Sequence, residues 1–138
     1  MSEPLTVGSV MRPMREVRPG VPLIAPTRNC LGAEAGHDVH PDPSGSVDPI
    51  DAGLSVVHGP RENLRKLPKP IRPYPYGESA LQVFEVEVPG LHAELEARKT
   101  SPWHAVVQPR TRMLFVFYND LLASTQQQWK PIRLQAAP

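Results

Sequence analysis

Hydrophobic and polar positions alternate most cleanly over residues 80–88. Phe84, Val86 and Val88 fall on one side of an extended chain and Glu85 and Glu87 on the other, which predicts a strand closed by Pro89-Gly90. Residues 53–57 are an apolar run with β-branched valines, bounded by Asp51-Ala52 and His58-Gly59-Pro60, the pattern of a short buried strand. Residues 103–108 alternate again, with Trp103, Ala105 and Val107 on one face and His104, Val106 and Gln108 on the other. Residues 14–17 read as a short strand entering the Pro19-Gly20 turn, and Leu23-Ile24-Ala25 as a brief extended piece before Pro26. The lead-in, residues 1–13, is polar with few apolar positions and is expected to be irregular.

The apolar period lengthens toward the C-terminal end. Leu114, Phe117, Tyr118, Leu121, Leu122, Thr125 and Trp129 recur at helical spacing, predicting a helix over residues 112–129 that stops before Pro131. Shorter helices are expected over residues 61–67, behind Pro60, and over residues 91–99, with Leu91, Leu95 and Arg98 along one face. Residues 29–51 are dominated by Gly, Pro, Asp, Ser and His and predict a long loop without a core face. Residues 69–76, with Pro70, Pro73 and Pro75, predict a polyproline-like connector.

Composition narrows the architecture. A chain of 138 residues, 40% hydrophobic, is expected to form one domain that buries more than half of its unfolded surface. Eighteen prolines remove many backbone donors, so strands and helices must be short and the fold a loop-rich α+β domain. The net charge of +1 provides no field that would by itself draw nucleic acid or an anionic membrane. The single cysteine, Cys30, excludes an intramolecular disulfide and reads as a small buried thiol. There is no apolar stretch of membrane-spanning length and no secretory start, so the chain is expected to be made in the cytosol and to leave its cell, if it does, without a cleavable signal peptide.

Two polar clusters have bland readings that prevail. His37-Asp38-Val39-His40-Pro41-Asp42 gathers metal-ligand types in a proline- and glycine-bounded segment, which suits a solvated loop better than a zinc site. The run of Arg61, Arg65, Lys66, Lys69 and Arg72 reads as a solvated face.

Breaking the bond between nicotinamide and ribose proceeds through an oxocarbenium-like state. It needs a cation for the dinucleotide phosphates, hydrogen bonds to the ribose and a dry pocket for the base. Arg15 can provide a planar fork for phosphate, Ser55 a hydroxyl on a rigid strand, and Tyr74, Tyr76 or Trp103 a stacking wall. Each residue also has an ordinary reading: Arg15 as a surface ion-pair partner, Ser55 as a core serine bonded to backbone, His104 as a satisfied strand histidine.

Four short words stand in order along the chain: Met14-Arg15-Glu16-Val17, Gly53-Leu54-Ser55-Val56, His104-Ala105-Val106-Val107-Gln108-Pro109 with Met113 beyond it, and Gln128-Trp129. As an ordered set this resembles the type VI secretion effector toxins with an ADP-ribosyltransferase-like fold. The resemblance implies a split antiparallel core and NAD as substrate. Arg15 would sit at the dinucleotide phosphates, Leu54 and Ser55 at the central-strand site and His104 at the head of a later strand, with Ser55 and His104 as catalytic residues. It further implies an immunity protein, contact with secretion components and delivery to a target cell's cytoplasm; no metal site is expected, since the His37 to Asp42 segment reads as a solvated loop. The sequence departs from the pattern at Leu54, where a small hydroxyl residue is expected, and in lacking a glutamate at the usual third catalytic position, since Glu85 and Glu87 come early. Left open are NAD hydrolysis or RNA phosphotransfer on a similar fold, and a non-catalytic module presenting the proline-rich residues 67–76.

Overall fold

The computed structural model describes residues 3–49, 53–66 and 81–132. Its centre is a seven-stranded, wholly antiparallel sheet with strand order β1-β8-β9-β6-β2-β7-β11. These strands are β1 (Glu3–Leu5), β2 (Ser9–Met14), β6 (Leu54–His58), β7 (Gln82–Glu87), β8 (Leu95–Lys99), β9 (His104–Pro109) and β11 (Lys130–Pro131). Two small ribbons stand apart: β3 (Glu16–Arg18) pairs with β4 (Val21–Pro22), and β5 (Ser46–Val47) with β10 (Met113–Leu114). The α-helix α1 covers Phe115–Ala123. The protein is therefore α+β with antiparallel β predominating. No helix among the described residues is long and apolar enough to cross a membrane.

Strand alternation divides the sheet into two unlike faces. On the first, Val10, Leu54, Val56, Phe84, Val86, Leu95, Ala97, Ala105 and Val107 form the main core with Tyr118 and Leu122 of α1. On the second, Met11, Val57 and Val83 meet Leu64 and Ile132 in a smaller cluster, with Trp103 packed against it. Ser55, His104, Glu96, Arg98 and Gln108 alternate onto this second face.

The strands expected from residues 53–57, 80–88 and 103–108 appear as β6, β7 and β9. Trp103 departs from its expected face: it precedes β9 and packs against the smaller cluster, while Ala105 and Val107 enter the main core. Several other expectations are corrected. The lead-in is not irregular throughout, because β2 is an interior strand whose Val10, Met11 and Met14 are fully buried. Its Pro13 is tolerated because β2 pairs with β7 along its whole length but with β6 only at Val10 and Met11, so one side is unpaired where the proline stands. Residues 91–99 hold no helix. Leu95 and Ala97 are buried in alternation with Glu96 and Arg98, a period of two that the longer leucine spacing masked. A 3-10 turn over Val88–Gly90 precedes them, and a 3-10 helix over Arg61–Lys66 replaces the α-helix expected there.

Two corrections concern what covers the main core. The long C-terminal helix is shorter than its apolar spacing suggested, because Met113 and Leu114 are held extended against β5 and the chain past Ala123 tightens into a 3-10 turn over Gln126–Gln128. Leu114 and Phe117 consequently face outward, while Tyr118, Leu122 and Trp129 are buried. The loop over residues 29–51 does contribute to the core. Cys30, Leu31, Ala33, Val39 and Val47 are buried, and Asn119 of α1 binds the segment by accepting from the Ala33 N–H at 2.7 Å and donating to its carbonyl at 3.2 Å. Within it Asp38 is buried and accepts from the Glu34 N–H. The polyproline connector, Tyr74, Tyr76 and the basic positions Lys69 and Arg72 lie outside the described residues.

Candidate active site

Ser55 lies mid-strand in β6, between Leu54 and Val56, whose side chains are sealed in the main core. Alternation therefore turns Ser55 to the second face. There its register partner on β9 is Val106, while His104 pairs with Val57 one step along. This diagonal brings Ser55 Oγ to 2.5 Å from His104 Nε2, joining residues 49 positions apart in the chain. On the far side of the ring, Nδ1 is hydrogen-bonded with the Thr100 hydroxyl. Trp103 stands edge-on to the imidazole, centroids 5.6 Å apart and planes at 76°. Burial, followed by the charge of His58, lowers the His104 pKa below its ordinary value, which favours the neutral ring and an acceptor nitrogen.

The same face continues as a polar tract on β8 and β9. Glu96 and Gln108 are register partners, and Arg98 pairs with Val106. Glu96 accepts from Arg98 Nε at 2.9 Å, Gln108 Nε2 at 3.3 Å and Arg110 Nη1 at 3.4 Å, so its carboxylate is engaged rather than presented. Glu85 and Glu87 belong to β7, separated from β6 by β2.

The backbone beneath Ser55 is held by a residue that sequence reasoning passed over. Arg12, on β2, is buried and donates from Nη1 to the Ser55 carbonyl at 2.7 Å and from Nε to the Cys30 carbonyl at 3.1 Å. Its guanidinium fills the gap where β6 has parted from β2, taking the place of a ladder hydrogen bond. Burial lowers its pKa, against the opposing charge of Asp38 and smaller contributions from Tyr118 and Cys30. At the start of β6 the Tyr118 hydroxyl accepts from the Leu54 N–H at 2.9 Å and donates to the Val107 carbonyl, clamping α1 to the two strands that carry Ser55 and His104.

Of the residues singled out from the sequence, Ser55 and His104 are in contact. Leu54 has its side chain fully buried on the opposite face, beside Val56. Arg15 is exposed just beyond β2, its N–H bonded to the Asn29 carbonyl, and it lines an open depression of about 510 Å³ with Leu23, Thr27, Arg28, Asn29, Cys30 and Glu34. Neither Ser55 nor His104 lines that depression. Among the described residues no three His, Cys, Asp or Glu side chains are grouped to hold a metal.

No family model, curated protein or solved structure matches this chain.

Two signals for the missed residues were present in the sequence. Val10, Arg12 and Met14 share a parity, so Arg12 stands in an apolar row and must bring a hydrogen-bonding purpose with it. Ser101-Pro102 between two alternating runs marks a turn that sets Thr100 opposite His104.

Proposed function

We propose that this chain is an NAD-consuming toxin domain, with an ADP-ribosyltransferase-like core, in which Ser55 and His104 form the reactive pair. The observation that carries the reading is the 2.5 Å contact between Ser55 Oγ and His104 Nε2, because it unites two of the four words on which the toxin resemblance rests. An antiparallel sheet whose second face carries a polar tract beside a small apolar cluster is a suitable carrier for such a site. In this reading NAD is substrate. The C1′–N bond to nicotinamide breaks with its electron pair going to nicotinamide, and a hydroxyl or water attacks C1′ while neutral His104 takes the nucleophile's proton. Ser55 orders the ribose. Arg15, which makes no side-chain ion pair or hydrogen bond among the described residues, lines a separate depression, so its contact with the phosphates requires the dinucleotide to reach from the Ser55 and His104 pair to that depression. A producer of such an activity requires an immunity protein, for which covering the Ser55 and His104 face is the simplest mode of inhibition, and delivery by type VI secretion completes the proposal.

The test is nicotinamide release from NAD by the purified protein, alongside growth after production in a bacterial cytosol. The expected result is release and growth arrest, both abolished by Ser55→Ala and by His104→Ala in folded protein. Absence of release together with normal growth at high production overturns the reading.

A further inference from the structure

We infer that Thr100 is a positioning residue that holds His104 in the tautomer with its proton on Nδ1, leaving Nε2 to accept from Ser55. The inference rests on counting protons in one connected group. The Thr100 hydroxyl is hydrogen-bonded with His104 Nδ1 and also lies 3.3 Å from the His104 main-chain carbonyl. If Nδ1 carries the proton, it donates to Thr100 Oγ1, the Thr100 hydroxyl donates to that carbonyl, and the Ser55 hydroxyl donates to Nε2. Every polar hydrogen then has a protein acceptor, although the Thr100 hydroxyl shares the His104 carbonyl with the Thr100 and Ser101 N–H groups. If instead Nε2 carries the proton, it must donate to Ser55 Oγ, and the Ser55 hydroxyl has no other protein acceptor among the described residues. The first arrangement gives one more donor, the half-buried Ser55 hydroxyl, an acceptor within the protein, while Thr100 itself is exposed.

The backbone makes the placement of Thr100 firm. The β8 to β9 hairpin closes through N–H donation from Thr100 at 2.9 Å and from Ser101 at 3.2 Å, both to the His104 carbonyl. Ser101 Oγ accepts in return from the His104 N–H at 2.9 Å and the Trp103 N–H at 3.3 Å. Thr100 is thus set at the base of the turn, four residues before the ring it orients, and the edge-on Trp103 indole restricts rotation of that ring. The same logic operates wherever an acceptor beyond a catalytic imidazole sets which nitrogen is basic; here a neutral hydroxyl does so in place of a carboxylate.

Imidazole nitrogen NMR on the intact chain tests this without reference to any substrate, with His104→Ala identifying the ring's signals. Wild type should show the Nδ1–H tautomer for His104, Thr100→Ser should keep it, and Thr100→Val should convert the ring to the Nε2–H form or a mixture. An Nε2–H ring in wild type overturns the inference, as does a natively folded Thr100→Val with an unchanged tautomer. Should Thr100→Val fail to fold, the wild-type and Thr100→Ser spectra still decide. A kinetic arm rests on the NAD reading. There kcat for nicotinamide release should fall roughly 10-fold to 100-fold in Thr100→Val at unchanged KM and recover in Thr100→Ser, a smaller loss than the ~10⁴-fold that follows removal of a carboxylate orienter. The expected tautomers with no NAD turnover in any variant would overturn the function and leave the role of Thr100 standing.

Discussion

His104 ties together the residues that matter most to the candidate site, and its titration has two measurable consequences. Its pKa is lowered by burial and by the charge of His58, so the folded protein holds the ring neutral at pH values where an ordinary histidine, with a pKa of 6.5, is half protonated. If neutral His104 is the base, the acid limb of the pH–rate profile should fall below pH 6.5, and a limb centred above that value would exclude it. The stability consequence has a definite sign. Between the folded and unfolded pKa values the unfolded chain binds more protons, so the contribution of His104 is fully present above the unfolded value and is lost as pH falls through the folded one. Replacing it by Gln should flatten that part of the curve of denaturation midpoint against pH. Legibility at this scale was uneven for physical reasons. Ser55 and His104 could be read because each stands in a short word of its own, but the hydrogen bond between them depends on strand register, which no local pattern encodes. Thr100 acts only through a turn, and a threonine before Ser-Pro carries no chemistry until the hairpin closes.

At the level of elements, apolar spacing marks the helix but not which of its flanks is buried. Residues 114, 117, 118, 121, 122, 125 and 129, all apolar or aromatic but Thr125, form a regular series, yet the helix takes up only Phe115–Ala123, since β10 and a closing 3-10 turn claim the ends. Spacing alone could not separate the two flanks of a broad stripe, and contact with the sheet does: Tyr118 and Leu122 are inside, while Val116 and Phe117 are 66% and 61% exposed. Leu122→Ala should therefore cost about 2–5 kcal/mol in a denaturant titration, and Phe117→Ala should stay within about 0.5 kcal/mol. Equal losses would place both on the same side of the helix and contradict this packing. The missed strand β8 teaches the complementary lesson. Leu91 and Leu95 suggested a helical period, but the Leu95, Ala97 alternation is a strand because β9 offers it a partner along its length, Leu95 facing Pro109 and Lys99 facing Ala105.

Across the whole molecule, the sheet separates a main apolar face closed by α1 from a second face that carries a smaller apolar cluster beside the candidate chemistry, and two arginines three residues apart serve opposite ends. Arg12 is 7% exposed and bonds two carbonyls, one on the loop over the main core and one beneath Ser55, so it ties that loop to β2 and β6 beyond the point where the pairing of those two strands ends. Arg15 is exposed and has no side-chain partner among the described residues. Composition and spacing treat the two alike, because burial is a property of the assembled sheet; β2 must be recognised as an interior strand before Arg12 can be told from its neighbour. Arg12→Ala should leave two buried acceptors unpaired and cost about 3 kcal/mol or more, a large share of an ordinary domain's stability. Lysine at the same position should recover only part of that, since one ammonium cannot reproduce a fork spread over two carbonyls. Arg15→Ala, in contrast, should leave the denaturation midpoint unchanged while raising the Kd for NAD, and Arg15→Lys should raise it less. If Arg15→Ala lowers the midpoint as far as Arg12→Ala, the exposed arginine is structural and leaves the proposed NAD site; if the midpoint and the Kd both stay put, it leaves the site without having held the fold.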